Sequence, residues 1–467
     1  MKLSRRLITL LIILLPSVAF SQNHVPASAG RSQASAPGEA AGTEVTLHNF
    51  IAPGRTERLV SPVPPGTIVT LQNWQQYKDY LSDGMQAFLS GKLHWKLPAD
   101  FQIVIGPTHD YSAAREYYSD TLKYSKGVRV VNRSDGGHTL DGYVAGLPFP
   151  NPTAPLKGWK LLVDMWYSYI PHLECGYDTF YLVDRFGNLA PETALQIYRK
   201  LGHASDYGIP PIDPNHPGLY YTEYLEILAP EESRYLANLT VYYMDQSKPI
   251  DTFLFIPSLR RSLRLSAAAR CSPVVGTDFT EDDASDFNFN GDWQIFNSHV
   301  VREGWGMSLD EVTDYKAVGN LANYYRPAFF PKPVIGKWEM RPVWLLDVRR
   351  IPSRASGYCY GKKILWLDKQ TYSPFWIDGY DSNQKLWKVF LSLVFPREVP
   401  HEGIVQPTGQ WLNPVWDVQS DHLTLGMATN PEGTKFKYNE DCRNFEGQNL
   451  DDVGRYSVSS GLEEIMR

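Results

Sequence analysis

The most regular hydrophobic pattern lies between residues 74 and 91. Large apolar residues recur there every three or four positions: Trp74, Tyr77, Leu81, Met85 and Phe88. This spacing places them on one face of an amphipathic helix, and Gly91 is a typical helix end. Shorter helices are predicted at 112–122 and at 191–201, where a proline stands at a favourable first-turn position.

Most other apolar residues fall in short segments rich in β-branched and aromatic residues, separated by Pro, Gly, Asn and Asp. The predicted strands are 101–105, 159–169, 179–183, 235–244, 252–256, 293–301 and 343–349. Residues 364–390 add three strands joined by turns at 368–374 and 381–385, the pattern of an antiparallel meander. The chain is therefore predicted to be mainly β (α+β), with a large curved antiparallel sheet and a few helices against it.

A curved sheet that forms an incomplete barrel has a concave face lined by alternate residues. The apolar residues expected there are Phe253, Phe255, Trp344, Leu346, Leu365, Leu367, Phe375 and Ile377. Such a hollow would bind an acyl chain, because burial gains about 0.8 kcal/mol per methylene. A closed core without a cavity is the alternative, and an error of one residue in register would turn any of these side chains to the other face.

Composition narrows the class of protein. The chain has 467 residues, a net charge of −6, 43% hydrophobic residues and 21% charged residues, which is a globular composition. A pI near 6.0 without long basic blocks argues against nucleic acid as a partner. A small molecule, a lipid or a protein fits better.

The N-terminus has the pattern of a secretory signal peptide, with basic residues, an apolar stretch at 7–15 and small residues Ala19 and Ser21 before a cut after residue 21. A membrane anchor is the alternative, but the apolar stretch is short and a polar segment follows. No cysteine stands at the cut, so the exported protein is not expected to be a lipoprotein. Residues 22–42 form a flexible Ala/Ser/Gly/Pro-rich lead-in, and 43–467 a single large β-domain with an N-terminal helical segment and a C-terminal extension.

Four cysteines are widely spaced, without a Cys-x-x-Cys pair: Cys175, Cys271, Cys359 and Cys442. In an oxidising compartment they could form two disulfides with any of three connectivities. Buried free thiols are the alternative.

No short pattern of a hydrolase, a zinc peptidase or a phosphate-binding loop is present, so no catalytic residue and no cofactor are predicted. The acidic run with Asp278, Asp282 and Asp283 offers oxygen ligands for calcium, but not at EF-hand spacing. Arginines at 260, 261, 264 and 270 precede it, so we favour an ion-paired turn over a metal site.

Three separated segments resemble a known family. They are 73–85 (NWQQYKDYLSDGM), 140–152 (LDGYVAGLPFPNP), and 255–261 (FIPSLRR) followed by 276–283 (GTDFTEDD). Together they resemble an exported bacterial family, domain of unknown function 1329, which is similar to the outer-membrane lipoprotein-sorting (LolA/LolB-like) proteins. The likeness extends from about residue 67 to about residue 430.

This resemblance implies a half-open β-barrel with helices against its mouth, a location in the Gram-negative periplasm and an association with envelope export or with efflux systems of the resistance-nodulation-division (RND) type. It implies no catalytic residue and no known ligand. The leading hypothesis is therefore a non-enzymatic carrier for a hydrophobic small molecule, lipid or lipoprotein acyl chain, with an RND-type transporter or an outer-membrane protein as possible partner. The alternatives are an envelope enzyme acting on a glycan or lipid, and a scaffold for an outer-membrane protein that binds no ligand.

Overall fold

The computed structural model describes residues 42–48, 56–266, 270–274, 276–285, 287–290, 292–312, 314–393, 396–405, 412–427 and 436–466. The predicted signal peptide and all but the last residue of the lead-in lie outside this part of the chain. Residues 41–467 form one compact unit. Among the described residues, the helices are too short or too polar to span a membrane.

Strands predominate in the described residues. In chain order, β1 to β12 are Thr43–His48, Thr56–Ser61, Ile68–Thr70, Gln102–Val104, Arg129–Asn132, His138–Asp141, Leu173–Val183, Leu189–Lys200, Leu219–Ala229, Ala237–Tyr243, Asp251–Ile256 and Arg261–Arg264. Strands β13 to β24 are Phe296–Val312, Tyr324–Tyr325, Phe330–Pro331, Gly336–Arg350, Lys362–Asp368, Pro374–Tyr380, Leu386–Leu391, Arg397–Val399, Gly403–Val405, Leu412–Asp417, His422–Met427 and Lys437–Tyr438. Helices α1 to α6 are Asp83–Leu89, Arg115–Tyr124, Lys157–Trp166, Tyr315–Gly319, Val453–Tyr456 and Ser459–Leu462.

One 14-stranded sheet organises the molecule. Its order is β12-β11-β10-β9-β8-β7-β23-β22-β19-β18-β17-β16-β13, and β24 pairs with β7 beside this path. Its strands pair antiparallel throughout. Five two-stranded pairings, β1-β2, β3-β4, β5-β6, β14-β15 and β20-β21, surround it.

The sheet curls around helix α3. Strands β10 and β13 are ten positions apart in the sheet, which corresponds to about 48 Å in a flat sheet. Yet the Trp166 ring of α3 lies 5.4 Å from that of Tyr242 on β10, and Gly158 of α3 is so close to β13 that a Cβ there would come within 2.3 Å of the Ser298 carbonyl oxygen. A ten-residue helix is about 15 Å long, so both parts of the sheet bend towards it. This confirms the predicted curved, unclosed antiparallel sheet with helices against it.

We call the face towards α3 the inner face and the opposite one the outer face. The inner face also carries the described residues between 270 and 295, which we call the plug segment; its Phe279 ring, for example, lies 6.5 Å from that of Phe390 on β19. Helix α1 covers part of the outer face, where Phe88 packs 5.1 Å from the Trp416 ring. The C-terminal residues cover another part, where Tyr456 packs 5.1 Å from Tyr224.

Two disulfides attach peripheral segments to this framework. Cys175 on β7 pairs with Cys442 and ties the C-terminal residues to the outer face. Cys271 at the start of the plug segment pairs with Cys359, just before β17. The structure thus has one of the three connectivities that the sequence left open.

Two predicted elements were wrong. Residues 159–169 were expected to form a strand, but they lie mostly in α3, which is buried on nearly every side and so lacks the polar stripe that distinguishes a helix in sequence. Residues 191–201 were expected to form a helix but lie in β8, because pairing with β7 and β9 outweighs the local helix signal of the proline. The helix predicted from 74 is also interrupted: a 3-10 turn, Trp74–Tyr80, is followed by α1, which begins after the N-cap Ser82.

Candidate functional site

Five of the eight predicted cavity residues share the inner face. Register pairs Leu346 with Leu365, Leu365 with Ile377, and Trp344 with Leu367. Each is at least 94% buried. They belong to the same core cluster as the plug residues Phe287 and Phe289 and as Trp166 of α3. In this half of the sheet the inner face is therefore filled by the protein's own side chains.

The other three predicted residues lie elsewhere. Phe253 and Phe255 point to the outer face, where they belong to the cluster that includes Cys442 and Tyr456. Phe375 stands beside a bulge in the pairing of β17 with β18. Its ring and that of Trp366 both lie over Gly306. The structure does not bring these three together with the other five.

A cleft of about 140 Å³ opens instead on the inner face of β7 to β10, beneath the plug segment. We call it the hydrophobic cleft. Its larger apolar lining residues are Phe180, Leu225, Ile227, Phe279, Met427 and Phe436. Phe279 comes from the plug segment, so the plug forms one wall and the sheet forms the floor.

Glycines make room for the aromatic walls. A Cβ on Gly176 of β7 would lie 2.3 Å from the ring of Phe436, so only glycine lets this ring lie flat on the strand. A Cβ on Gly426 of β23 would lie 3.4 Å from the ring of Phe180, which is ordinary van der Waals contact, so this ring also rests against the strand without requiring glycine there. The backbone of the sheet, more than its side chains, thus supports the walls at these two points.

Four carboxylates also line the cleft: Glu174, Asp178, Glu192 and Glu223. They stand at inward-facing positions of β7, β8 and β9, so all four rise from the same face of the sheet. Glu192 is 91% buried, and its Oε2 atom has no hydrogen-bond partner among the described residues. Burial raises the pKa of Glu192, because the charged form loses hydration. The cleft therefore combines apolar walls with acidic side chains, and the charge that these side chains carry disfavours an anion beside them.

Buried ion pairs hold the plug segment on the sheet. Asp283 accepts hydrogen bonds from Lys363 Nζ at 2.6 Å and from the Tyr360 hydroxyl at 2.6 Å, and Lys388 Nζ is 3.9 Å from its carboxylate. Burial alone would raise the pKa of Asp283, but the charges of Lys363 and Lys388 hold it below its usual range. These contacts fix the plug wall of the cleft relative to β17 and β19.

The neighbouring acids have partners of their own. Asp282 lies 2.9 Å from Arg270, and Asp278 accepts a hydrogen bond at 2.7 Å from His422, whose pKa this bond raises. Within the described residues, no group of three or more His, Cys, Asp or Glu side chains is placed to hold a metal ion. Asp278, Asp282 and Asp283 thus have three different partners, His422, Arg270 and Lys363, and of these only Arg270 is one of the arginines that precede the acidic run.

Sequence reasoning missed the hydrophobic cleft. The inner face of its floor strands carries several acids and amides, such as Glu174, Asp178 and Gln196, and polar residues at such positions are typical of a solvent-facing strand. Gly176, between Glu174 and Asp178 on one strand, was the available hint, since an interior strand glycine often marks a close approach.

Comparisons with known proteins give a family and a distant relative. A family model described as "Protein of unknown function (DUF1329)" matches residues 68–451. An uncharacterized protein of Pseudomonas aeruginosa is 22% identical over 396 residues, which cover 79% of this chain and 77% of that protein.

Two solved structures are similar to parts of the chain. A DUF1329 family protein from Desulfovibrio piger is 13% identical, with a TM-score of 0.43 over 63% of this chain and 98% of that one. A domain assigned to outer membrane lipoprotein sorting, from Vibrio parahaemolyticus, is 12% identical, with a TM-score of 0.42 over 62% of this chain and 96% of that one.

Proposed function

The chain belongs to the DUF1329 family of proteins of unknown function, and we propose that it is a non-enzymatic carrier that binds a hydrophobic ligand in the hydrophobic cleft. The observation that carries the proposal is the cleft itself. Apolar side chains from the sheet and from the plug segment converge there without filling the space between them. Burial of apolar ligand surface against such walls is favourable, and convergent apolar and polar groups are typical of ligand sites.

The size of the cleft limits what enters it. A volume of about 140 Å³ resembles the engineered apolar cavities of about 150 Å³ that hold a single benzene. A short apolar segment of the ligand, such as the end of an acyl chain, fits inside. The remainder of a longer lipid would extend out of the cleft.

The carboxylates restrict the polar part of the ligand. Placing an anionic headgroup beside Glu174, Asp178, Glu192 and Glu223 would add like-charge repulsion in a poorly hydrated site. We therefore expect a ligand whose buried part is neutral or cationic and expect free fatty acid anions to bind weakly.

Location and partners follow from other features. Two disulfides suit an oxidising compartment, and the predicted signal peptide would deliver the chain to the periplasm. In that setting the carrier would work with an envelope export or RND-type efflux system, or deliver its ligand to an outer-membrane protein. Lipid, a lipoprotein acyl chain and a small hydrophobic molecule are all cargo of the expected chemistry.

A cleft-filling substitution tests the carrier. Ala284 lines the cleft from the plug segment, and Ala284→Trp should occupy the space of the ligand. The matched control is Ala322→Trp at an exposed position outside the cleft. Binding of a fluorescent long-chain alcohol, an alkylamine and a fatty acid would be measured by titration, together with thermal unfolding of each variant.

We expect the alcohol or the amine to bind the wild-type protein and Ala322→Trp equally and Ala284→Trp at least roughly tenfold more weakly, a loss of about 1.4 kcal/mol. The fatty acid should bind the most weakly of the three. Saturable binding that Ala284→Trp leaves unchanged would refute the assigned site. Absence of binding for all three probes, with empty protein recovered from its own periplasm, would refute the carrier.

The acids also favour one second candidate, an envelope hydrolase acting on a glycan or lipid. Glycoside hydrolysis uses two carboxyl groups on opposite sides of the scissile bond, one with a raised pKa. Glu192 has such a raised pKa, but the four carboxylates here rise side by side from one sheet face. Hydrolysis of envelope glycan or lipid that Glu192→Gln abolishes while ligand binding persists would establish the enzyme instead.

A further inference from the structure

A second cleft, of about 280 Å³, shares no lining residue with the hydrophobic cleft. Five cationic side chains line it: Arg133, Lys248, Arg270, Arg350 and Arg354. We call it the basic cleft. They come from β16, from the turn after it, from the plug segment and from the turns that follow β5 and β10. The chain as a whole is acidic, so this concentration of positive charge is local.

Two of the five cations form the rigid frame of the basic cleft. Arg133 donates two hydrogen bonds to the Asp135 carboxylate, at 2.9 and 3.1 Å, and one to the Gln294 side chain at 2.5 Å. Arg270 is bonded to Asp292 at 2.8 Å and to Asp282 at 3.0 Å. Their donors are largely used by the protein, so they contribute charge and position more than free hydrogen bonds.

Arg350, in contrast, has hydrogen-bond donors that no described residue uses. Its side chain is only 14% exposed, yet Nε and Nη2 have no hydrogen-bond partner among the described residues. The nearest carboxylate oxygen, Oδ1 of Asp282, is 3.6 Å from Nη2, too far for a hydrogen bond. The guanidinium lies 3.9 Å from the Tyr358 ring centroid and 5.4 Å from that of Phe296, which hold its plane in place.

Unused buried donors of this kind are costly. Each unsatisfied group costs about 1–3 kcal/mol, and more when it is charged. An oxyanion in the cleft would supply the missing acceptors and recover this cost. Because a planar guanidinium presents several donors in fixed directions, it matches phosphate oxygens better than a single point charge does.

Two more cations can approach the same ligand. Arg354 is 53% exposed, and its closest carboxylate oxygen, on Asp135, is 3.5 Å away. Lys248 lies with Nζ 3.3 Å from the centre of the Tyr243 ring. Carboxylates oppose them: Glu281 and Asp292 line the cleft, and Asp135 and Asp282 stand beside its arginines. Burial raises the pKa of Glu281 to about 7, so this acid is only partly charged at neutral pH.

We propose that the basic cleft binds a phosphate-class oxyanion, with Arg350 as its main hydrogen-bond donor and Arg354 and Lys248 at its margin. Free inorganic phosphate and the phosphorylated headgroup of a lipid present the same chemistry. Both have the tetrahedral oxygens that the unused donors of Arg350 require. The site is independent of the hydrophobic ligand assigned above, so either can fail alone.

Calorimetric titration of the full chain with inorganic phosphate and with glycerol 3-phosphate, at constant ionic strength, tests the site. The variants are Arg350→Gln, the exposed Arg354→Gln as a change that folding tolerates, and Arg349→Gln as matched control. Arg349 directly precedes Arg350 on β16. Its side chain is half-exposed and pairs with Asp347 outside the cleft. Thermal unfolding would show whether each variant folds.

We expect Arg350→Gln to weaken the binding of both probes roughly tenfold, Arg354→Gln roughly threefold and Arg349→Gln not at all, a tenfold change being about 1.4 kcal/mol. Tighter binding of glycerol 3-phosphate would identify a lipid headgroup as the source, and tighter binding of inorganic phosphate the free anion. No saturable binding by the wild-type protein would overturn the proposal. Equal weakening of binding by Arg349→Gln and Arg354→Gln would also overturn the proposal, because general surface charge would then explain the loss of binding. If Arg350→Gln fails to fold, the difference in binding between Arg354→Gln and Arg349→Gln tests the site.

Discussion

Replacement of Lys363 by methionine removes the main partner of Asp283 from the anchor of the plug segment. The two side chains are at most 2% exposed and their charged atoms are 2.6 Å apart. Lys363 also donates to the Asn288 carbonyl at 3.1 Å. Breaking one side of a buried pair costs about 3–5 kcal/mol, because the remaining charge stays desolvated.

Two contacts of Asp283 lower this cost. Lys388 Nζ lies 3.9 Å from the carboxylate and the Tyr360 hydroxyl still donates to it. We therefore expect Lys363→Met to reduce the free energy of unfolding by about 3 kcal/mol, the lower end of the range. The same variant should raise the pKa of Asp283, because the charge of Lys363 lowers this pKa more than the charge of Lys388 does.

Equilibrium urea unfolding, followed by tryptophan fluorescence, measures the change. The matched control is Arg349→Met, which removes the cation of an exposed pair on the neighbouring strand with a distance of 2.8 Å to Asp347. Exposed pairs contribute about 0–1 kcal/mol, so the control should stay close to wild type. A Lys363→Met variant no less stable than Arg349→Met would refute the view that this buried pair anchors the plug.

Two further predictions concern stability. Replacing Cys175 and Cys442 together by serine opens a loop with a sequence separation of 267 and should cost about 6 kcal/mol in the chain-entropy model. Urea unfolding of the variant and of the oxidised wild type measures this cost, and equal stability of the two proteins would contradict it. Burial, with the nearby charge of Asp83, raises the pKa of Asp378 from 3.8 to about 7, so this acid makes folding less favourable as pH rises through that range. Asp378→Asn should therefore gain about 2 kcal/mol relative to wild type between about pH 5 and about pH 7 in the same assay, and a constant difference across this range would exclude the assignment.

Local patterns were enough for the sheet where short turns separate runs of apolar and aromatic residues. The meander at 364–390 appears as β17, β18 and β19, although β18 is buried along its whole length, because its turns mark the ends of the strands. The same reasoning failed for α3. Helix α3 has Trp159, Leu162, Val163 and Trp166 at helical spacing, but Leu161 and Met165 are equally buried, so no polar face marks the period.

The candidate site was also predictable only in part from the sequence. Alternation was sufficient to place Leu346, Leu365 and Ile377 on one face, because each pair follows from register within adjacent strands. It could not show that the plug segment would cover them. Phe289 reaches this core from 57 or more residues away along the chain, and no local pattern encodes such a contact.

The segments that carry the family resemblance lie mainly where the sheet is covered. The backbone N–H groups of Asp83 and Gly84, in the first, donate to Asp378 beneath α1. Phe149, in the second, donates from its N–H to Asp164 of α3. Residues 276–283, in the third, belong to the plug segment.

The cleft is built differently. Its floor lies on β7 to β10, between the second and third of these segments, and they contribute only Thr277 and Phe279 to its walls. The resemblance is therefore carried mainly by the segments that cover this sheet. The ligand proposed above would be selected instead by the side chains on the cleft floor, because they set the charge and the free volume of the cleft. The ligand must accordingly be sought through variants of this chain's own cleft, such as Ala284→Trp and Glu192→Gln.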